Sequence, residues 1–201
     1  MLIMIKTERE TLTEFTDKNS NQLIKIAKLI HDNPELGNQE FLAGKTLGDF
    51  LEEQGFTVAY NIAGHETGFF AKKSSSKAGP KIAFLAEYDA LPEIGHGCGH
   101  NLIGTASAGA AAAIGNIIEN LGGEVIVFGT PAEEGGDNGS AKASFVNSGL
   151  FNDIDAALMF HPANKNSVTQ KTQTVEPVDI EFFGKTAHAA GNPEKGINAL
   201  H

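Results

Sequence analysis

The chain has 201 residues, 41% of them hydrophobic and 20% charged, an ordinary composition for a soluble globular protein with room for one sizeable domain or one domain and part of another. Its formal net charge of -10 would repel nucleic acid and anionic membranes, so neither is expected as a partner. The single cysteine, Cys98, excludes an intrachain disulfide and fits a reducing, cytoplasmic setting, and the short apolar opening MLIMI is neither a signal peptide nor a membrane span.

From Thr16 to Ile30 the apolar residues Leu23, Ile24, Ala27 and Ile30 recur at helical spacing. HDNPELG breaks that helix, and Glu40 to Gln54 predicts a second one, with Phe41, Leu42, Leu47, Phe50 and Leu51 inward and Gly55 as its stop. Lys72 to Gly79, KKSSSKAG, reads as an exposed loop. Three apolar runs then have strand character: Lys81–Ala86, Glu124–Gly129 and Asp155–Phe160. They do not alternate, which predicts burial on both faces, as in a parallel sheet. Helical stretches at Leu102–Leu121 and Ser140–Ser148 separate them. The expected fold class is therefore α/β, a mainly parallel sheet flanked by helices and built from crossover units. Lys171 to Phe183 reads as a longer strand of different character, and Glu194 to Leu200 as the opening of a helix.

The segment Gly95–Asn101, GHGCGHN, places Cys98 and His100 one glycine apart, so a thiolate and an imidazole can reach one divalent ion. The alternative is a glycine turn with a buried cysteine and a capping histidine. Position decides how much weight the motif carries. Asp89 follows the first strand, Glu133 and Glu134 follow the second, and His161 ends the third. Ligands of open α/β sheets gather outside the carboxyl ends of the strands. Of two neighbouring carboxylates, one can bind a metal while the other faces water, and a carboxylate such as Asp89 can fix the tautomer of a ligating imidazole. His31, His65 and His96 read as structural or rim residues, and His188, alone in a turn, as inert without further context.

EYDALPEIGHGCGHN, GTPAEEGG, MFHP and GKTAHAAGNPEKGINAL, taken in this order with the early HDNPELGNQEF, resemble the amidohydrolase branch of metallopeptidase family M20. That branch includes enzymes of the aminobenzoyl-glutamate hydrolase, auxin-conjugate hydrolase and aminoacylase-like dipeptidase types. The resemblance runs from about Thr16 onward. It implies a zinc-peptidase-like catalytic domain over 1–170 and the start of a ferredoxin-like lid or dimerisation domain over 171–201.

The resemblance also implies a metal-dependent hydrolase that cleaves the amide bond of a small N-acyl amino acid, aminobenzoyl-glutamate-like conjugate or dipeptide. Two divalent metal ions, zinc or manganese, would be held by Cys98 as the shared ligand and by His100, Glu134 and His161. Glu133 would act as general base, and Asp89 would orient a metal-bound group. His188 would be the lid histidine that serves the partner's site in a homodimer. Family members are about twice this long and carry one more histidine ligand later in the chain. The chain is thus expected to be a fragment with little activity alone. The rival readings are a non-catalytic metal-binding or dimerisation remnant, and a cysteine hydrolase with Cys98 as nucleophile and His100 as base.

Overall fold

Glu35 organises the first turn of the molecule. Its carboxylate accepts the backbone N–H groups of Leu42 and Ala43 at 3.0 and 2.9 Å. These are donors that a helix start cannot satisfy internally. This carboxylate caps α2 (Phe41–Glu53) from outside the helix, and the Glu35 carbonyl accepts the N–H of Ala90 at 2.8 Å. In the computed structural model, which describes residues 6–136, 139–168, 178 and 180–200, the preceding helix α1 runs from Lys6 to Asp32, starting well before the predicted Thr16. No helix among the described residues is long and apolar enough to cross a membrane.

After α2 comes an antiparallel hairpin that sequence reading missed, β1 (Thr57–Ile62) and β2 (His65–Ser74). It absorbs Lys72, Lys73 and Ser74, which the sequence places in an exposed loop. Then follow β3 (Lys81–Ala86), α3 (His100–Asn116), α4 (Ile118–Leu121), β4 (Glu124–Gly129), α5 (Ala141–Asn147) and β5 (Ala156–Leu158). The sheet order is β1-β2-β4-β3-β5. β3 pairs in parallel with β4 and β5, and β2 joins β4 antiparallel. The α/β class holds, with a mixed sheet whose parallel part carries the candidate residues.

Alternation along the strands sorts the core into two layers. Phe69, Ala71, Phe84, Ala86, Val125 and Val127 pack on one face with Leu47, Phe50, Ala108 and Ala111 of α2 and α3. Ala83, Ile126 and Phe128 pack on the other with Ala141 and Phe145 of α5. Burying each of the large side chains contributes about 1.5–3 kcal/mol. Double burial is correct for β3 and β4 but not for the edge strand β5, whose three residues are all exposed.

The connection leaving β3 runs through α3 on one face, whereas that leaving β4 runs through α5 on the other. Adjacent parallel strands whose connections diverge in this way leave a crevice at their carboxyl ends. The glycines of α3 let it sit close: a Cβ at Gly104 would lie 2.7 Å from the Glu87 carbonyl oxygen. The Ser107 hydroxyl donates to the Leu85 carbonyl at 2.5 Å.

The chain divides into two compact units, Met1–Asn164 and Lys165–His201. The second contains a bridge between Lys185 and Ile197 and a single 3-10 turn, Pro193–Lys195, in place of the helix expected over 194–200. Proline at the first position starts this turn, and Gly196 leaves it in an extended conformation. Most of the strand predicted over 171–183 lies outside the described residues. Val178 and residues 180–183 are not in a strand.

Candidate metal centre

Three residues past the end of β3, Asp89 turns back toward the sheet, 1% exposed. Its Oδ1 lies 2.8 Å from His100 Nδ1, and its Oδ2 accepts the backbone N–H of Glu134 at 2.8 Å. One carboxylate therefore fastens the start of α3 to the loop after β4. Gly99, at φ 76°, caps α3 in the left-handed conformation and turns His100 inward; a Cβ there would lie 2.7 Å from Pro162 Cγ.

The Asp89 bond requires a proton on His100 Nδ1 and leaves the Nε2 lone pair free. Nε2 is buried without a hydrogen-bond partner. Around it lie Glu87 Oε2 at 3.4 Å, Glu134 Oε1 at 3.7 Å and Glu133 Oε2 at 3.8 Å. A buried lone pair facing three carboxylates, that of Glu87 itself buried, is repulsive unless a positive charge joins them. Burial works against protonation of His100. The hydrogen bond and charge of Asp89, followed by the charges of Glu87 and Glu133, outweigh it and raise the pKa. The same geometry that attracts a proton suits a divalent cation.

The ligand atoms fall into two groups, each within 4.8 Å: Cys98, His100 and Glu134, and Glu87, His100 and His161. Thiol, imidazole and carboxylate are the donors that borderline divalent metals take. The residues present therefore fit a metal centre, and His100 is common to both groups. His161 stands nearly perpendicular to His100, ring centroids 6.1 Å apart. Its Nδ1 is 2.9 Å from the Pro162 carbonyl, which leaves Nε2 for a ligand. The Cys98 thiol is pushed up to about 11, first by its hydrogen bond to Glu134, then by burial and the surrounding carboxylates.

Residues 83–200 match the family model described as Peptidase family M20/M25/M40. The chain belongs to this family. M20 relatives include one of the subunits of the Escherichia coli (strain K12) p-aminobenzoyl-glutamate hydrolase, 40% identical over 87% of this chain and 40% of that protein. The mouse (Mus musculus) Xaa-Arg dipeptidase is 35% identical over 93% of this chain and 46% of that protein. The chain thus spans less than half the length of these curated relatives. A Bacillus subtilis structure described as a dinuclear metal-binding peptidase of the M20 family superposes with a TM-score of 0.60 at 27% identity, over 68% of this chain and 41% of that one. The fold also matches a Klebsiella pneumoniae aminobenzoyl-glutamate utilization protein, with a TM-score of 0.63 at 21% identity, over 94% and 56% of the two chains.

Of the residues singled out in the sequence, Asp89, Cys98, His100, Glu133, Glu134 and His161 come together around the His100 imidazole. His188 lies in the other unit, where its Nδ1 accepts the N–H groups of Ala190 and Gly191 at 3.3 and 3.0 Å. His65 opens β2, 1% exposed, with Nδ1 2.6 Å from Asn38 Oδ1 and Nε2 2.9 Å from Ser144 Oγ. His96 stacks on His31, ring centroids 6.4 Å apart. Sequence reading overlooked Glu87 and Lys142. Glu87 is 1% exposed, and the Lys142 ammonium pairs with its Oε1. The available signal was a charged residue closing an apolar strand on the same edge as Asp89.

Proposed function

We propose that this chain is the metal-binding catalytic half of an amidohydrolase acting on a small N-acyl amino acid, aminobenzoyl-glutamate-like conjugate or dipeptide. One observation carries the reading: the unpartnered His100 Nε2 among three carboxylates and a cysteine, in the crevice between β3 and β4. The substrate class is supported by the names of the relatives, a p-aminobenzoyl-glutamate hydrolase and a dipeptidase. Zinc or manganese is the proposed metal, with the thiol favouring zinc.

Cys98, His100, Glu134 and His161 would hold two divalent ions, which supply Lewis acidity toward the amide carbonyl and acidify water. Asp89 holds the His100 proton on Nδ1 and keeps Nε2 directed at the centre. Glu133 has a half-exposed carboxylate with Oε2 turned to the same point. It takes the proton from water during attack and delivers it to the leaving amine. The proposal includes a homodimer in which His188 stabilises the oxyanion at the partner's site, an expectation supported by the family resemblance.

Glu133→Ala in the whole protein should retain metal and lose hydrolysis by about a hundredfold or more. Metal content by mass spectrometry beside a turnover assay checks this. Near-normal turnover with metal bound would remove Glu133 from the role. A nucleophilic Cys98 is disfavoured, because its would-be base His100 stands two residues away across the Gly99 turn, with Nε2 directed at the carboxylates.

A further inference from the structure

Lys142 and His100 face the same two carboxylates from opposite sides. Glu87 directs Oε1 to the Lys142 ammonium and Oε2 to His100 Nε2 at 3.4 Å. Glu133 does the same, with Oε1 3.8 Å from Lys142 Nζ and Oε2 3.8 Å from His100 Nε2. The four side chains close a ring in which each carboxylate has one oxygen on the ammonium and the other on the imidazole. Neighbours on both sides fix the backbone that carries Lys142. Ala141 is fully buried and its N–H donates to the Pro131 carbonyl at 3.1 Å. Ser144 is bound by His65, and Phe145 is fully buried.

We propose that Lys142 is a positioning residue which, by holding the outer oxygens of Glu87 and Glu133, keeps Glu133 available as a base instead of letting it close on the metal with both oxygens. The inference rests on the hydrolase reading above. A carboxylate with two free oxygens beside a divalent cation can chelate it, and a chelating carboxylate is a poor proton acceptor. An ammonium on the far oxygen opposes that collapse. A lysine suits the place because its compact charge on a flexible stem reaches two carboxylates without imposing a planar fork.

The test uses the whole protein, Co2+ as the spectroscopic probe, and p-aminobenzoyl-glutamate with a set of N-acetyl amino acids as substrates. Lys142→Met should lower kcat by about tenfold to a hundredfold. KM, metal stoichiometry and the thiolate-to-cobalt absorption from Cys98 should be little changed, and Lys142→Arg should recover part of kcat. A double variant, Glu87→Gln with Lys142→Met, removes the buried charge together with its partner. It should fold readily, keep its Co2+ although Glu87 belongs to one of the two ligand groups, and stay slow, because Glu133 is still unheld. Restoration of kcat in the double variant would show that Lys142 only neutralises Glu87, and would overturn the proposal. A kcat within twofold of wild type in Lys142→Met, or a loss that tracks loss of metal, would overturn it too. If the wild-type protein neither binds Co2+ nor hydrolyses any of these amides, the hydrolase reading fails, and this inference with it.

Discussion

Asp89 does two things with one carboxylate, and both are needed by the centre. It fixes the His100 tautomer through Oδ1 and holds the Glu134 backbone through Oδ2. Asp89→Ala should therefore weaken metal binding by about ten- to a hundredfold, the usual range for a residue that orients a ligand. Calorimetric titration with zinc would measure it, and unchanged affinity would show that Asp89 only caps the turn. Asp89 and the two glutamates were legible because each follows the end of an apolar run, and the C-x-H pair because it stands in a glycine-rich segment. Glu87 was not: a charge that closes a strand looks the same whether it meets water or is buried. Its partner Lys142 looks like any surface lysine of a short helix until the fold brings the two together.

At the scale of elements, close approach between α3 and the end of β3 sets where Glu87 and His100 meet. A Cβ at Gly104 would lie 2.7 Å from the Glu87 carbonyl oxygen and 2.9 Å from Leu47 Cδ1. Gly104→Ala should cost about 1–3 kcal/mol by overpacking, read as a lower midpoint in urea denaturation. An unchanged midpoint would mean that the helix shifts freely. The β1–β2 hairpin was passed over although Val58, Tyr60 and Ile62 alternate with Thr57, Ala59 and Asn61, because the strand is short and four of its six residues are exposed. Its anchor is His65, which ties β2 to the 37–39 loop and to α5. Burial lowers the pKa of His65 below its ordinary 6.5. As pH falls the unfolded chain takes up this proton first, so the stabilisation is complete above about pH 6.5 and declines below it. His96 is shifted in the same direction and His100 in the opposite one, so the informative quantity is a difference. His65→Gln should flatten the fall in Tm between pH 7 and 5 relative to wild type. An identical pH dependence would exclude His65 as a contributor.

Across the whole molecule, the sheet gathers negative charge at one edge. Glu87, Asp89, Glu133 and Glu134 converge on one imidazole, and Lys142 pairs with two of them, Glu87 and Glu133. The strand order that makes this crevice could be anticipated for β3 and β4, whose apolar runs are continuous. Its mixed character could not, because the antiparallel partner β2 is interrupted by Lys72 and Lys73. Such a cluster stores repulsion that the core must hold in place, and a divalent ion removes it in the folded state only. Zinc or manganese should therefore raise Tm, and chelator should lower it. One site held at a hundred times its Kd contributes about 2.7 kcal/mol. Cys98→Ala and Glu134→Gln attack the same three-atom group from two sides, so each should shrink the metal-induced rise. Magnesium, which prefers an all-oxygen octahedral shell, should reproduce little of it. Calorimetric scans across these ions and variants would decide the matter: an equal rise with magnesium, or a full rise in both variants, would place the bound cation on surface carboxylates rather than at the centre between β3 and β4.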